Sequence, residues 1–341
     1  MSNSIFSKNL DRSLEYIRGF STSYVLQALV SAGTLERMKQ PFTVRALSKE
    51  QNYQEDLFEA VVRFLVTEEI VEAGADPETY RLTAFGVWIA EQPGWFNLLV
   101  GGYQNVFANL DTILKEGSEA ARRDSHFVGL GSYEISLHDA FPIVWKLIDD
   151  VNPDATRFVD IGCGDGYFVR EICSRMPQAT AIGIEPSVSA RNAEQAVKAA
   201  GLDDRISIVQ EDGLACPVAA DTDFVLFAFV LQEILPQIGE AGLIDYFVRL
   251  RESGFTGGVL IIEVDYTPDD QAVLRTPIGR GYYNPYYLLH PLTNQKLMPI
   301  RFWRDLFARA GYDLVAERTV DPNVDPSGLE LGLVFSPAND G

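Results

Sequence analysis

From residue 157 onward the chain alternates between short unbroken apolar runs and amphipathic ones. "RFVDIG", "ATAIGIE", "RISIVQ", "DFVLFAFV" and "GGVLIIEV" read as strands. "YFVREICSRM" and "SARNAEQAVKAAG" read as helices, the second closing on glycine. "FWRDLFARAG" adds a late helix with Phe302, Leu306, Phe307 and Ala310 on one face. Apolar strands separated by amphipathic helices predict an α/β fold, a doubly wound and mostly parallel sheet covered on both faces. The first hundred residues follow another period. Leu14, Ile17, Val25, Ala28 and Leu29 recur at helical spacing before "SAG", and Leu57, Val61, Phe64 and Leu65 share a helical face. "EIVE" and "YRLT" flank the turn-rich "AGADPET" and predict a hairpin. Helices followed by such a wing describe a mainly helical winged-helix domain over 1–103. Residues 104–150 read as a helical connector contributing to the substrate pocket, and 151–341 as the catalytic domain. The stretch 266–300 fits neither period; it holds five tyrosines, five prolines and His290, and reads as a lid-like insert.

Charge narrows the possible partners. The 341 residues carry a formal net charge of −20, which opposes nucleic acid and anionic membrane surfaces. The N-terminal hundred residues offer no basic stripe, so the winged helix is expected to pack or dimerise, not to bind DNA. Three cysteines, Cys163, Cys173 and Cys216, lack disulfide or zinc spacing, as suits a reducing compartment. The opening "MSNSIFSKNLDRS" lacks a secretory pattern, and no apolar run approaches the roughly 20 residues of a membrane span. A cytoplasmic protein handling small molecules is expected.

The candidate chemistry begins at "VDIGCGDGYF". Gly162, Gly164 and Gly166 follow the first strand of the parallel sheet, where glycine allows a tight turn and a close ligand. Tyr167 stands where the dinucleotide fingerprint has its third glycine. Asp160 precedes the loop and disfavours a phosphate there, whereas it stabilises an ammonium or sulphonium group. Glu185 ends the second strand, where an acid can take both ribose hydroxyls. "QEDG" places Asp212 and Gly213 after the third strand, with Asp212 positioned to accept from an adenine amino group. These acceptors suit S-adenosylmethionine better than NAD.

With "GIEPS", "VQEDG" and "VLIIEV", the loop resembles the class I S-adenosylmethionine-dependent methyltransferases over roughly residues 155–265. The resemblance implies a Rossmann-like seven-stranded sheet and a homodimer formed through the winged helix. O-methyltransferases of this architecture carry a basic histidine after the fourth strand, where "VLQEILPQ" has Gln232 and Glu233. "YYNPYYLLHPLTNQKL" followed by "FWRDLF" is similar instead to the α-keto acid C-methyltransferases of the phenylpyruvate and 2-ketoarginine type. That similarity implies methylation of the β-carbon of a small α-keto acid through a metal-stabilised enolate. Gln232 and His290 are then the metal ligands, with zinc, iron or manganese as candidates. Glu233, and His138 with Asp139 in "SLHDAFP", are the candidate catalytic residues. Arg122 and Arg123 are candidates for a substrate carboxylate, and Tyr283 and Tyr287 for lining the pocket. The alternatives are a small-molecule O- or N-methyltransferase and a non-catalytic S-adenosylmethionine-binding regulator.

Overall fold

The computed structural model describes residues 3–76 and 78–338. It divides into two compact units: 1–105 with 123–135, and 106–122 with 136–341. The stretch read as one connector is thus shared between them, residues 123–135 going with the smaller unit.

In the smaller unit the first helix runs from Asn3 to Ser31, beginning well before the predicted one. Leu26 and Leu29 enter the core, whereas Leu14 and Ile17 are exposed. The helix Glu55–Thr67 turns Phe58, Val62 and Leu65 inward and leaves Leu57 exposed, so its buried stripe is rotated by one residue from the expected one. The predicted hairpin is present as β2 (Val71–Ala73) and β3 (Thr79–Leu82), with β1 (Phe42–Thr43) pairing along the other side of β3. Pro77, in the "AGADPET" connection, lies outside the described residues, as do Met1 and Ser2 of the opening segment.

The larger unit carries seven strands: β4 (Arg157–Ile161), β5 (Thr180–Ile184), β6 (Ile206–Val209), β7 (Phe224–Ala228), β8 (Gly258–Val264), β9 (Tyr312–Thr319) and β10 (Glu330–Pro337). Their order is β6-β5-β4-β7-β8-β10-β9. The first five are parallel, and β10 runs antiparallel to both neighbours. Every residue of β8 is buried, as its continuous apolar run requires of a strand covered on both faces. One face packs Phe247, Trp303, Phe307 and Phe335, the last two stacked at 4.1 Å. The other packs Val144, Leu147, Phe158, Phe224 and Leu260. The chain winds outward from β4 through β5 to β6, then returns to β7 on the other side of β4. That reversal opens a crevice beyond the carboxyl ends of β4 and β7, where such sheets bind ligands.

The stretch 266–300 is largely helical. It forms a short helix Gln271–Leu274, a π-helical turn Gly279–Tyr283 and a helix Asn284–Leu292. Tyr282, Tyr283, Tyr286, Tyr287 and His290 are all buried. Among the described residues no helix is long and apolar enough to cross a membrane.

Candidate active site

After β4 the backbone passes through three left-handed glycines, Gly162, Gly164 and Gly166, at φ of 74°, 53° and 74°. Other residues rarely adopt this conformation. The N–H groups of Gly162 and Cys163 both donate to the Ile184 carbonyl, at 2.8 and 3.1 Å, tying the turn to the end of β5. A Cβ at Gly162 would meet Val230 Cγ2 at 2.4 Å, whereas one at Gly164 would meet nothing within 4 Å. Gly164 is therefore the open point of the cradle. Its N–H donates to Glu185 at 3.1 Å, and the other Glu185 oxygen accepts from Ser187 N–H at 2.9 Å. Asp160 is buried beneath the turn, and its carboxyl is pushed up to about 8 by burial and by the neighbouring charge of Glu185. Burial raises the Cys163 thiol as well, so it stays protonated. Asp212 is exposed and accepts from Leu214 N–H at 2.9 Å. Gly213 is buried, and a Cβ there would meet Ile161 Cγ2 at 2.6 Å. Open backbone at Gly164, flanked by acids closing β4 and β5, fits a nucleoside that carries a cationic amino-acid arm.

The second half of the site follows β7. Phe229 holds a left-handed φ of 55°, a sparsely populated conformation for a bulky residue, and its carbonyl accepts from Gln232 Nε2 at 3.2 Å. The Gln232 amide also meets the Tyr286 hydroxyl, at 3.2 Å from Nε2 and 3.3 Å from Oε1. Tyr286 in turn holds His290: Nδ1 lies 2.6 Å from the Tyr286 carbonyl, and the two ring centroids are 3.9 Å apart. A carbonyl only accepts, so Nδ1 carries the proton and Nε2 is the acceptor of the neutral ring. Glu233 accepts from Gln295 Nε2 at 2.6 Å. Below them Glu263, buried at the end of β8, takes the N–H groups of Leu231 and Gln232 and fixes the first turn of the helix Leu231–Glu252; burial pushes its carboxyl up to about 8.

The structure thus unites Gln232 and His290, the two expected metal ligands, but through a tyrosine. Their donors are one imidazole nitrogen and one neutral amide already bonded to Tyr286 and Phe229. Among the described residues no group of three or more His, Cys, Asp or Glu could hold an ion. Two neutral donors, with the neighbouring carboxyls of Glu233 and Glu263 taken up by Gln295 and by the backbone N–H groups of Leu231 and Gln232, do not fit a resident metal.

A third cluster lies beside this network. Asp139 is buried and caps the helix Ala140–Val151 through Ala140 N–H at 2.5 Å. Its carboxyl is hydrogen-bonded to that of Glu330, the first residue of β10; burial raises both, and the charge of Asp325 raises each further. Asp325 accepts from the Tyr283 hydroxyl and from both N–H and Oγ of Ser327. The remaining expected residues are exposed, bonded to other groups or part of the smaller unit. His138 is exposed. Arg122 is exposed, with Nη1 on the Glu119 and Ala121 carbonyls, and Arg123 belongs to the smaller unit. The Tyr283 and Tyr287 hydroxyls are committed to protein partners, Asp325 and the Asp265 carbonyl, so Tyr282 and Tyr286 are the tyrosines that join the network. Glu263, Asp325 and Glu330 were not expected. The visible signal was a lone acid in an otherwise apolar run, in "VLIIEV" and "LELGLVF".

A mostly parallel sheet with a left-handed glycine turn after its first strand and acids closing the first two defines a class I S-adenosylmethionine-dependent methyltransferase. Residues 158–254 match the methyltransferase domain family. The chain belongs to the family of the 2-ketoarginine methyltransferase of Streptomyces arginensis, with which it is 34% identical over 337 residues, 97% of each chain. It is 26% identical to an indolepyruvate C-methyltransferase of Streptomyces griseus over 240 residues, 68% of each. The crystal structure of human N-acetylserotonin methyltransferase in complex with its cofactor superimposes with a TM-score of 0.65 at 16% identity, over 99% of each chain, and shares the fold. The protein is a methyltransferase, and its cofactor is S-adenosylmethionine.

Proposed function

We propose that the enzyme transfers a methyl group to the β-carbon of a small α-keto acid of the 2-ketoarginine kind. The observation that carries this reading is the buried His290–Tyr286–Gln232 network, which sets a proton acceptor beside a tyrosine hydroxyl oriented by Gln232. The relatives that act on 2-ketoarginine and indolepyruvate support it. Gln232 has no basic nitrogen to deprotonate a hydroxyl, which disfavours the O-methyltransferase alternative. In our reading Glu185 takes the ribose hydroxyls, Asp212 the adenine amino group, and Asp160 faces the cationic arm, while the glycine turn lets the cofactor reach the backbone. When bound, S-adenosylmethionine supplies an electrophilic methyl carbon on a sulphonium.

A C–H beside a ketone is a weak acid, so carbon attacks only as the enolate. His290 Nε2 removes the β-proton, a role worth roughly 10²–10⁴ in rate. The Tyr286 hydroxyl, which accepts from the Gln232 amide and is oriented by it, donates its own proton to the enolate oxygen. The C–C bond forms as the methyl–sulphur bond breaks, leaving S-adenosylhomocysteine, and the proton departs from His290 to water. A metal has no step in this scheme, because the donor set does not fit one. In the smaller unit Phe6, Ile17 and Phe20 of the first helix are 66, 63 and 64% exposed, an apolar face suited to a second copy of the chain; a solution mass of two chains checks the pairing.

The test is methyl transfer from isotope-labelled cofactor to 2-ketoarginine, read by carbon NMR of the product before and after exhaustive chelation. The label is expected on the β-carbon at an unchanged rate. A methyl on oxygen or nitrogen would overturn C-methylation, and strict dependence on added zinc, iron or manganese would overturn the metal-free step.

A further inference from the structure

We propose that Asp139 and Glu330 form the specificity-determining end of the substrate site, binding a guanidinium carried at the far end of the keto acid. The inference rests on the keto acid reading above and adds the residues that select the substrate's tail.

Glu330 pairs in register with Val264, the last residue of β8, so the carboxyl pair stands at the same edge of the sheet as the glycine turn. Asp139 and Glu330 are only 7 and 2% exposed, and they are bonded to each other. The second Glu330 oxygen, Oε1, is buried without any hydrogen-bond partner. Asp325 nearby has its oxygens filled by Tyr283 and Ser327, so the open acceptor capacity lies in the pair. The strongest outside charge bearing on either member is Asp325, another carboxyl, and not a lysine or arginine. Buried carboxylates are normally paired with a cation or fully hydrogen-bonded, because desolvating an unpaired charge is costly. Here the protein supplies neither, and a planar cation with five N–H donors satisfies both needs.

The path from this pair to the reacting carbon is aromatic. Tyr282, within electrostatic reach of both carboxyls, lies 5.4 Å from Tyr286 centroid to centroid, and Tyr286 lies 3.9 Å from His290. Such a wall packs a short aliphatic chain and offers ring faces to a cation. The keto acid end then lies at His290 and the cationic end at Asp139 and Glu330.

The experiment compares 2-ketoarginine with its urea isostere, in which an oxygen replaces one guanidinium nitrogen and the charge is lost. Calorimetry on the complex of wild-type enzyme with S-adenosylhomocysteine is expected to show the guanidino acid binding about 100-fold more tightly. Equal affinity would overturn the proposal. The D139N/E330Q double variant keeps side-chain volume and removes both charges, and is expected to abolish that preference, so that the two acids bind with equal affinity. A retained preference, or equal loss of both substrates in a variant that still binds S-adenosylhomocysteine, would assign the pair a purely structural role. If the double variant does not fold, the wild-type comparison decides alone. Failure of the keto acid reading looks different: discrimination in binding persists, but neither acid acquires a methyl on carbon.

Discussion

At the ends of β4 and β5 the candidate site is a glycine turn with the acids that close those strands, whereas around β7, β8 and β10 it is a network of side chains. The first region is local: the Gly164 N–H and the Glu185 carboxylate that accepts from it are 21 residues apart. The second is assembled from distant segments, with Gln232 and Tyr286 54 residues apart. A backbone cradle suits a ligand that never changes, since glycine geometry is fixed by the turn. A side-chain network can be rebuilt residue by residue around a new acceptor. On the proposed function, the division separates an invariant methyl donor from a variable methyl acceptor.

The largest effect that sharpens this comparison comes from pH, because both regions bury strongly perturbed carboxyls. Asp160 and Glu263 keep their protons to about 8 when folded, against ordinary values of 3.8 and 4.5. The folded state therefore binds more protons across that window, and stability falls as pH rises from about 4 to 8. Each group carries on the order of 5 kcal/mol of this dependence. Denaturant melts of the cofactor-free enzyme are expected to show the midpoint falling with pH, and a flat or rising profile would remove the buried-carboxyl account from both regions.

A smaller effect separates the two regions. Gly162→Ala places a methyl at positive φ and against Val230, at a cost of roughly 2–3 kcal/mol. It should lower the denaturation midpoint and weaken binding of S-adenosylhomocysteine, leaving the ratio of guanidino to ureido turnover unchanged. A shift in that ratio would mean the two regions are not independent.

The unequal construction also explains what could be read from the sequence. The glycine turn and its acids follow one another at short, fixed spacing on strands marked by apolar runs, so Asp160, Gly162, Gly164, Gly166 and Glu185 were all visible. Gln232 and His290 were visible as an expected pair of metal ligands, but Tyr286, which joins them, belongs to a tyrosine-rich stretch with no clear period. The π-helical turn at Gly279–Tyr283 inserts an extra residue into the helical phase, and this hid which tyrosine of each pair turns toward the network. Glu330 opens a strand paired antiparallel to β8, outside the alternating pattern that marked the other strands. In the smaller unit a one-residue rotation separated the expected face of Glu55–Thr67 from the observed one, because Leu57 and Phe58 are both apolar and only packing chooses between them.

Deuterium exchange at the β-carbon of 2-ketoarginine, bound with S-adenosylhomocysteine so that no methyl can transfer, tests the central claim most directly. The account predicts exchange well above the spontaneous rate in the wild-type enzyme, unaffected by chelator and lost in His290→Asn. Exchange that persists in His290→Asn, or that vanishes from the wild type on chelation, would contradict it.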